Sequence, residues 1–84
     1  IVDDKAINRQ TVKDKINGYK EVSLVLEAKN GLDFLEQLKN AKHLPDVVLM
    51  DLEMPEMNGI EAIKISSASY PSLKFIVLTV FEDN

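Results

Sequence analysis

Three aspartates are the residues of this chain whose type and spacing could do chemistry. Asp3 and Asp4 stand directly after Ile1-Val2, and Asp51 closes the run Asp46-Val47-Val48-Leu49-Met50 ahead of Leu52-Glu53-Met54-Pro55-Glu56-Met57-Asn58-Gly59. An acid placed where a buried strand gives way to a turn occupies the end of the sheet at which α/β folds bind their ligands. A parallel sheet that set the two strands side by side would gather three carboxylates at one edge. Carboxylates crowded in this way call for a cation, and a hard divalent ion with oxygen ligands fits them.

Other residue types carry weaker signals. His43 stands alone near Pro45, without partner ligands, and suits the surface. Met50, Met54 and Met57 are expected to pack or to shape the turn rather than to bind metal. Pro55 and Gly59 are expected to fix that turn and the tight start of a following helix. Thr79 is, taken alone, an ordinary strand residue.

The elements that must position the acids follow from periodicity. Ile1-Val2 reads as the exit of a strand whose beginning is missing. Lys5 to about Asn17 has neither Gly nor Pro before Gly18 and carries Ile7, Val12 and Ile16 at roughly helical spacing, so a helix is predicted there, with Asp3 or Asp4 as its N-cap and Gly18 as its stop. Glu21 to Ala28 alternates Val22, Leu24, Leu26 and Ala28 against a mostly polar face, the pattern of an edge strand. After Asn30-Gly31, Leu32, Leu35, Leu38 and Ala41, with Phe34 beside them, predict a second helix ending near Lys42.

Asp46 to Asp51, apolar at four successive positions, predicts a central strand covered on both faces. Gly59 to about Ser69 predicts a third helix, its apolar face interrupted by Ser66-Ser67 and its end set by Tyr70-Pro71. Lys74 to Val80 predicts another strand, and Phe81 onward a new loop or helix. The order β-α-β-α-β-α-β favours parallel strands joined by right-handed crossovers.

Composition narrows the function classes. Eighty-four residues suit one domain. A net charge of −4 without a basic stripe argues against a nucleic-acid footprint on this chain. The absence of cysteine excludes disulfides, zinc fingers and thiol catalysis. No apolar run approaches the roughly 20 residues of a membrane span, so a cytoplasmic protein is expected.

Val2-Asp3-Asp4, Asp51-Leu52-Glu53-Met54-Pro55, Met57-Asn58-Gly59 and Ile76-Val77-Leu78-Thr79, in this order and on these elements, resemble the receiver domain of bacterial two-component response regulators. The resemblance runs through all 84 residues. It implies a doubly wound, flavodoxin-like α/β fold with strand order 2-1-3-4, residues 1–84 forming a partial receiver domain that stops before the fifth strand and the last two helices. It makes Asp51 the phosphoryl acceptor, with Asp3, Asp4, Asp51 and the backbone carbonyl of Glu53 holding Mg2+. Thr79 becomes the switch hydroxyl, and Glu53 and Phe81 flank the phosphoryl group. The family's switch lysine, carried on the fifth strand, has no assigned counterpart here.

The implied function is a phospho-acceptor switch, not an enzyme. A histidine kinase is the expected phosphodonor, transcription the expected output, and DNA a partner only through an output domain that this chain lacks. Two other readings stand beside it. Exposed apolar strand four could make the chain a homodimer or strand-exchanged dimer with no signalling role. Asp51-Leu52-Glu53 could serve a metal-dependent phosphohydrolase with an aspartyl nucleophile, although Glu53-Met54-Pro55 departs from the Asp-x-Asp pattern of such enzymes.

Overall fold

The computed structural model describes residues 1–78. Within them, α1 (Ala6–Ile16), α2 (Gly31–Asn40), β1 (Val47–Asp51), α3 (Gly59–Ser69) and β2 (Lys74–Leu78) follow one another along the chain. β1 and β2 are parallel, with Met50 opposite Val77 and Asp51 opposite Leu78. Val2 makes parallel bridges to Ala28 on one side and Met50 on the other. The Val2 N–H donates to the Leu49 carbonyl at 2.8 Å, and its carbonyl accepts from the Asp51 N–H at 2.9 Å. Across the sheet the order is therefore Ala28, Val2, Met50, Val77, which is the 2-1-3-4 arrangement expected of a parallel α/β fold.

The edge segment departs from expectation. Of residues 21–28 only Ala28 enters the sheet, and Val22, Leu24 and Val25 are exposed. Within this segment, the neighbouring Ile1 to Asp3 bonds only to Leu26 and Ala28, so the residues before Leu26 have no ladder to join. An alternating sequence without a partner strand gains little from its β propensity.

α2 and α3 lie against the sheet face that carries Val2, Val48 and Met50. The core comprises these residues with Leu26, Ala28, Phe34, Leu38, Met54, Ala62 and Leu73. Phe34 meets Phe75 edge-on, with ring centroids 6.4 Å apart and planes at 81°. The buried face of α2 is Gly31, Phe34 and Leu38 with Leu35 beside them, whereas Leu32, predicted on that face, is 50% exposed. In α3 the buried face is Gly59, Ala62 and Ser66. Ser66 continues the packed face instead of interrupting it, because its hydroxyl donates to the Ala62 carbonyl within the helix.

The opposite face of the sheet is thinly covered. α1 buries none of its residues, and Ile7 is 72% exposed. Between α1 and β1 lies an open hollow of about 470 Å³, lined by Ile16, Val22, Leu24, Val47, Leu49 and Ile76 among others. β1 is thus buried fully on one face only, at Val48 and Met50, not on both as its apolar run predicts.

Helix starts follow from local chemistry. Asn30 and Asn58 each cap a helix, their side-chain oxygens accepting from the Asp33 and Glu61 N–H groups at 2.8 and 2.9 Å. α1 has no such cap. Its N-cap is Lys5 rather than Asp3 or Asp4, and it ends at Asn17 in right-handed conformation, without Gly18 turning left-handed.

Candidate functional site

The register of the sheet assembles the site. Pairing of Val2 with Met50 brings the following residues, Asp3 and Asp51, to the same edge, and Asp4, in the loop before α1, joins them. One carboxylate oxygen from each of Asp3, Asp4 and Asp51 lies within 4.8 Å of the others. The three acids separated by almost fifty positions in sequence are a single cluster in space, as their placement at strand exits predicts.

Each acid sits in a different environment. Asp3 is 3% exposed. Its Oδ1 accepts from the Lys5 N–H at 2.9 Å, and the Asn8 side-chain amide donates to Oδ1 and Oδ2 at 3.4 and 3.3 Å. Asp4 Oδ1 is buried and has no hydrogen-bond partner among the described residues. Asp51 is half-buried, and its Oδ1 accepts from the Glu53 N–H at 3.2 Å.

Burial pushes the Asp51 carboxyl above its ordinary range. The Glu53 N–H opposes this, the charges of Asp3 and Asp4 add to it, and the Lys5 ammonium weakly offsets it. Asp51 therefore resists ionisation until positive charge arrives beside it. A buried, unpartnered carboxylate oxygen beside two further carboxylates is what a bound divalent cation satisfies, so the donor set fits Mg2+.

The loop after Asp51 is held close to it. Gly59 N–H donates to the Leu52 carbonyl at 3.0 Å. A Cβ on Gly59 would run into the Asp51 carbonyl and come within 2.9 Å of Leu52 Cα, so only glycine lets α3 start against the strand exit. Glu53 is exposed within this loop. Thr79 and Phe81 lie outside the described residues.

Sequence reasoning missed the donors around the acids. Arg9, on the first turns of α1, donates from Nη1 to the Asp3 backbone carbonyl and from Nε to Glu27 Oε1, both at 2.8 Å. Lys13 Nζ reaches Glu27 Oε2 at 3.1 Å, and Gln37 of α2 donates to the Glu27 carbonyl at 2.8 Å. These two cations hold the Glu27 carboxyl below its usual range. The available signal was the pair Asn8-Arg9 one turn beyond the acids on an expected helix.

Residues 1–84 match the family described as response regulator receiver domain. Over 84 residues the chain is 37% identical to the transcriptional regulatory protein LnrK of Bacillus subtilis (strain 168), covering 100% of this chain and 37% of that protein. It is 39% identical over 83 residues to the protein-glutamate methylesterase/protein-glutamine glutaminase of Thermotoga maritima, covering 99% of this chain and 24% of the relative. The chain thus spans well under half the length of these relatives. The isolated REC domain of RcsB from Salmonella enterica serovar Typhimurium, solved in the presence of phosphomimetic BeF3−, matches with a TM-score of 0.85 at 27% identity, covering 98% of this chain and 60% of that one.

Proposed function

Because this chain belongs to the response regulator receiver domain family, we propose that Asp51 is its phosphoryl acceptor and that Asp3, Asp4, Asp51 and the Glu53 carbonyl form its Mg2+ site. The observation that carries this reading is the convergence of three carboxylates within 4.8 Å at the strand exits. In this reading the donor is the phosphohistidine of a histidine kinase. An Asp51 carboxylate oxygen attacks phosphorus, the P–N bond breaks, and the imidazole leaves with that electron pair as a P–O bond forms on Asp51. Bound Mg2+ would supply the positive charge that lets two anions approach.

The chain's own groups do the rest. The Glu53 N–H holds Oδ1 of Asp51, and Oδ2 accepts no hydrogen bond among the described residues, which leaves it available to attack. Gly59 keeps α3 close behind the acceptor. Thr79 supplies a hydroxyl to the new phosphoryl oxygens, while the side chains of Glu53 and Phe81 control the approach of water. For the whole protein we propose transcriptional output in a cytoplasmic regulator, in line with the full-length match of this chain to part of LnrK. Among the described residues no helix is long and apolar enough to cross a membrane.

Incubation with Mg2+ and acetyl phosphate, read by intact mass, tests the assignment. One phosphoryl adduct, absent in Asp51→Asn, is expected. No adduct on a chain that circular dichroism shows to be folded, or an adduct that persists in Asp51→Asn, would overturn it.

A further inference from the structure

Arg9 stands at a junction of three parts of the molecule. Its planar guanidinium spans from the backbone carbonyl of Asp3 to the carboxylate of Glu27, both at 2.8 Å, so the strand exit that bears the acids is tied to the neighbouring edge segment through a residue of α1. Glu27 is in turn fixed by Lys13 from α1 and, at its carbonyl, by Gln37 from α2. Asn8 completes the arrangement by donating to both carboxylate oxygens of Asp3, at the long end of the hydrogen-bond range. Asp3 is almost fully buried, so these contacts rather than solvent decide where its carboxylate points.

We propose that Arg9, assisted by Asn8, is a positioning residue for the cation-binding acid Asp3, the guanidinium fixing the Asp3 backbone against Glu27 while the Asn8 amide sets the rotation of its carboxylate. The inference rests on the assignment of Asp3 to the Mg2+ site. Partners that orient a metal ligand without touching the metal control affinity through the ligand's placement, and their loss typically weakens binding about 10- to 100-fold. Arg is suited to this task because its rigid fork reaches two acceptors at once, which a lysine ammonium on a flexible stem does not hold in fixed geometry.

The test is Mg2+ affinity by isothermal titration calorimetry on the whole chain, with metal-free melting temperature measured on the same samples. Asp4→Asn reports on the site itself, and loss of binding in that variant is expected. Arg9→Ala and Arg9→Lys are expected to weaken Mg2+ binding by about tenfold or more, and Asn8→Ala by less. Lys13→Ala removes the other cation on Glu27 without touching Asp3, and is expected to lower the melting temperature while leaving Mg2+ affinity unchanged. Should Arg9→Ala not fold, Arg9→Lys and Asn8→Ala carry the comparison.

Unchanged affinity in Arg9→Lys and Asn8→Ala, with binding lost in Asp4→Asn, would overturn the positioning role and leave the metal site standing. An equal loss of affinity in Lys13→Ala would also overturn it, since general loosening of α1 would then explain the effect. No saturable Mg2+ binding by the unmodified chain would remove the site assignment and this inference together.

Discussion

Asp51 and Glu27 respond to pH with opposite signs, and the difference follows from what surrounds each. A carboxyl whose folded-state pKa is raised adds stability below its unfolded value, and that contribution is lost as pH rises through the folded value. Asp51, raised by burial and by Asp3 and Asp4, is such a group. Without divalent cation, Asp51→Asn is therefore expected to melt above the unmodified chain by a margin that grows as pH rises out of the ordinary carboxylate range. Mg2+ should reverse the order, because it binds the ionised cluster. Melting curves by circular dichroism across pH, with and without Mg2+, measure this, and a margin independent of pH would contradict it. Glu27 is held low by Arg9 and Lys13, so its contribution is present above the ordinary carboxylate range and lost as pH falls through the lowered value. Glu56 offers a separate check on the acceptor loop. Its φ of 68° is left-handed, a conformation that costs an ordinary side chain about 1–2 kcal/mol and that asparagine tolerates better. Glu56→Asn should stabilise the chain by about 1 kcal/mol in urea denaturation. An unchanged midpoint would show that the turn carries no strain.

The elements that the sequence makes legible are those with both periodicity and punctuation. α3 runs from Gly59 to Ser69, as its apolar spacing and the following Tyr70-Pro71 predict, and Asn58 caps it. Residues 21–28 show the limit of the same reasoning. Alternation alone predicts a strand there, but a strand needs a neighbour, and Ile1 to Asp3 bonds only to the end of the segment. The aspartates were legible because strand exits are marked by apolar runs. The contacts of Arg9 were not, since they depend on how α1 leans on a segment eighteen residues away. The two glycines at helix starts distinguish rigid from yielding packing. An added Cβ at Gly59 meets the Asp51 and Leu52 backbone, whereas at Gly31 it meets chiefly the Met57 side chain, with Cγ at 2.8 Å and Cβ at 2.9 Å, alongside the Met57 carbonyl at 2.9 Å. Gly59→Ala should thus lose about 1–3 kcal/mol and displace the acceptor. Its Mg2+-dependent rise in melting temperature should shrink accordingly, and Gly31→Ala should be milder in both. Equal effects of the two substitutions on stability and on the Mg2+ response would refute the link between α3 and Asp51.

At the scale of the whole molecule, the distribution of apolar surface is lopsided. One sheet face is packed by α2 and α3 around Phe34, Val48 and Met50, while the other opens on a hollow of about 470 Å³ under α1. Among the described residues β2 pairs only with β1, and no strand among them pairs with its other edge. Ile76 and Val77 on that strand are 54% and 43% exposed. Unpaired backbone beside apolar side chains is a template for pairing with another chain, and a lysine on such an edge opposes it. The chain is expected to self-associate with rising concentration in sedimentation velocity, and Ile76→Lys to shift it towards monomer. Because the edge lies on a strand other than those carrying the acids, Mg2+ affinity per chain should be the same in Ile76→Lys. A monomer at every concentration would show that the hollow and the open edge are compatible with isolation. Association unaltered by Ile76→Lys would instead move the contact surface away from β2.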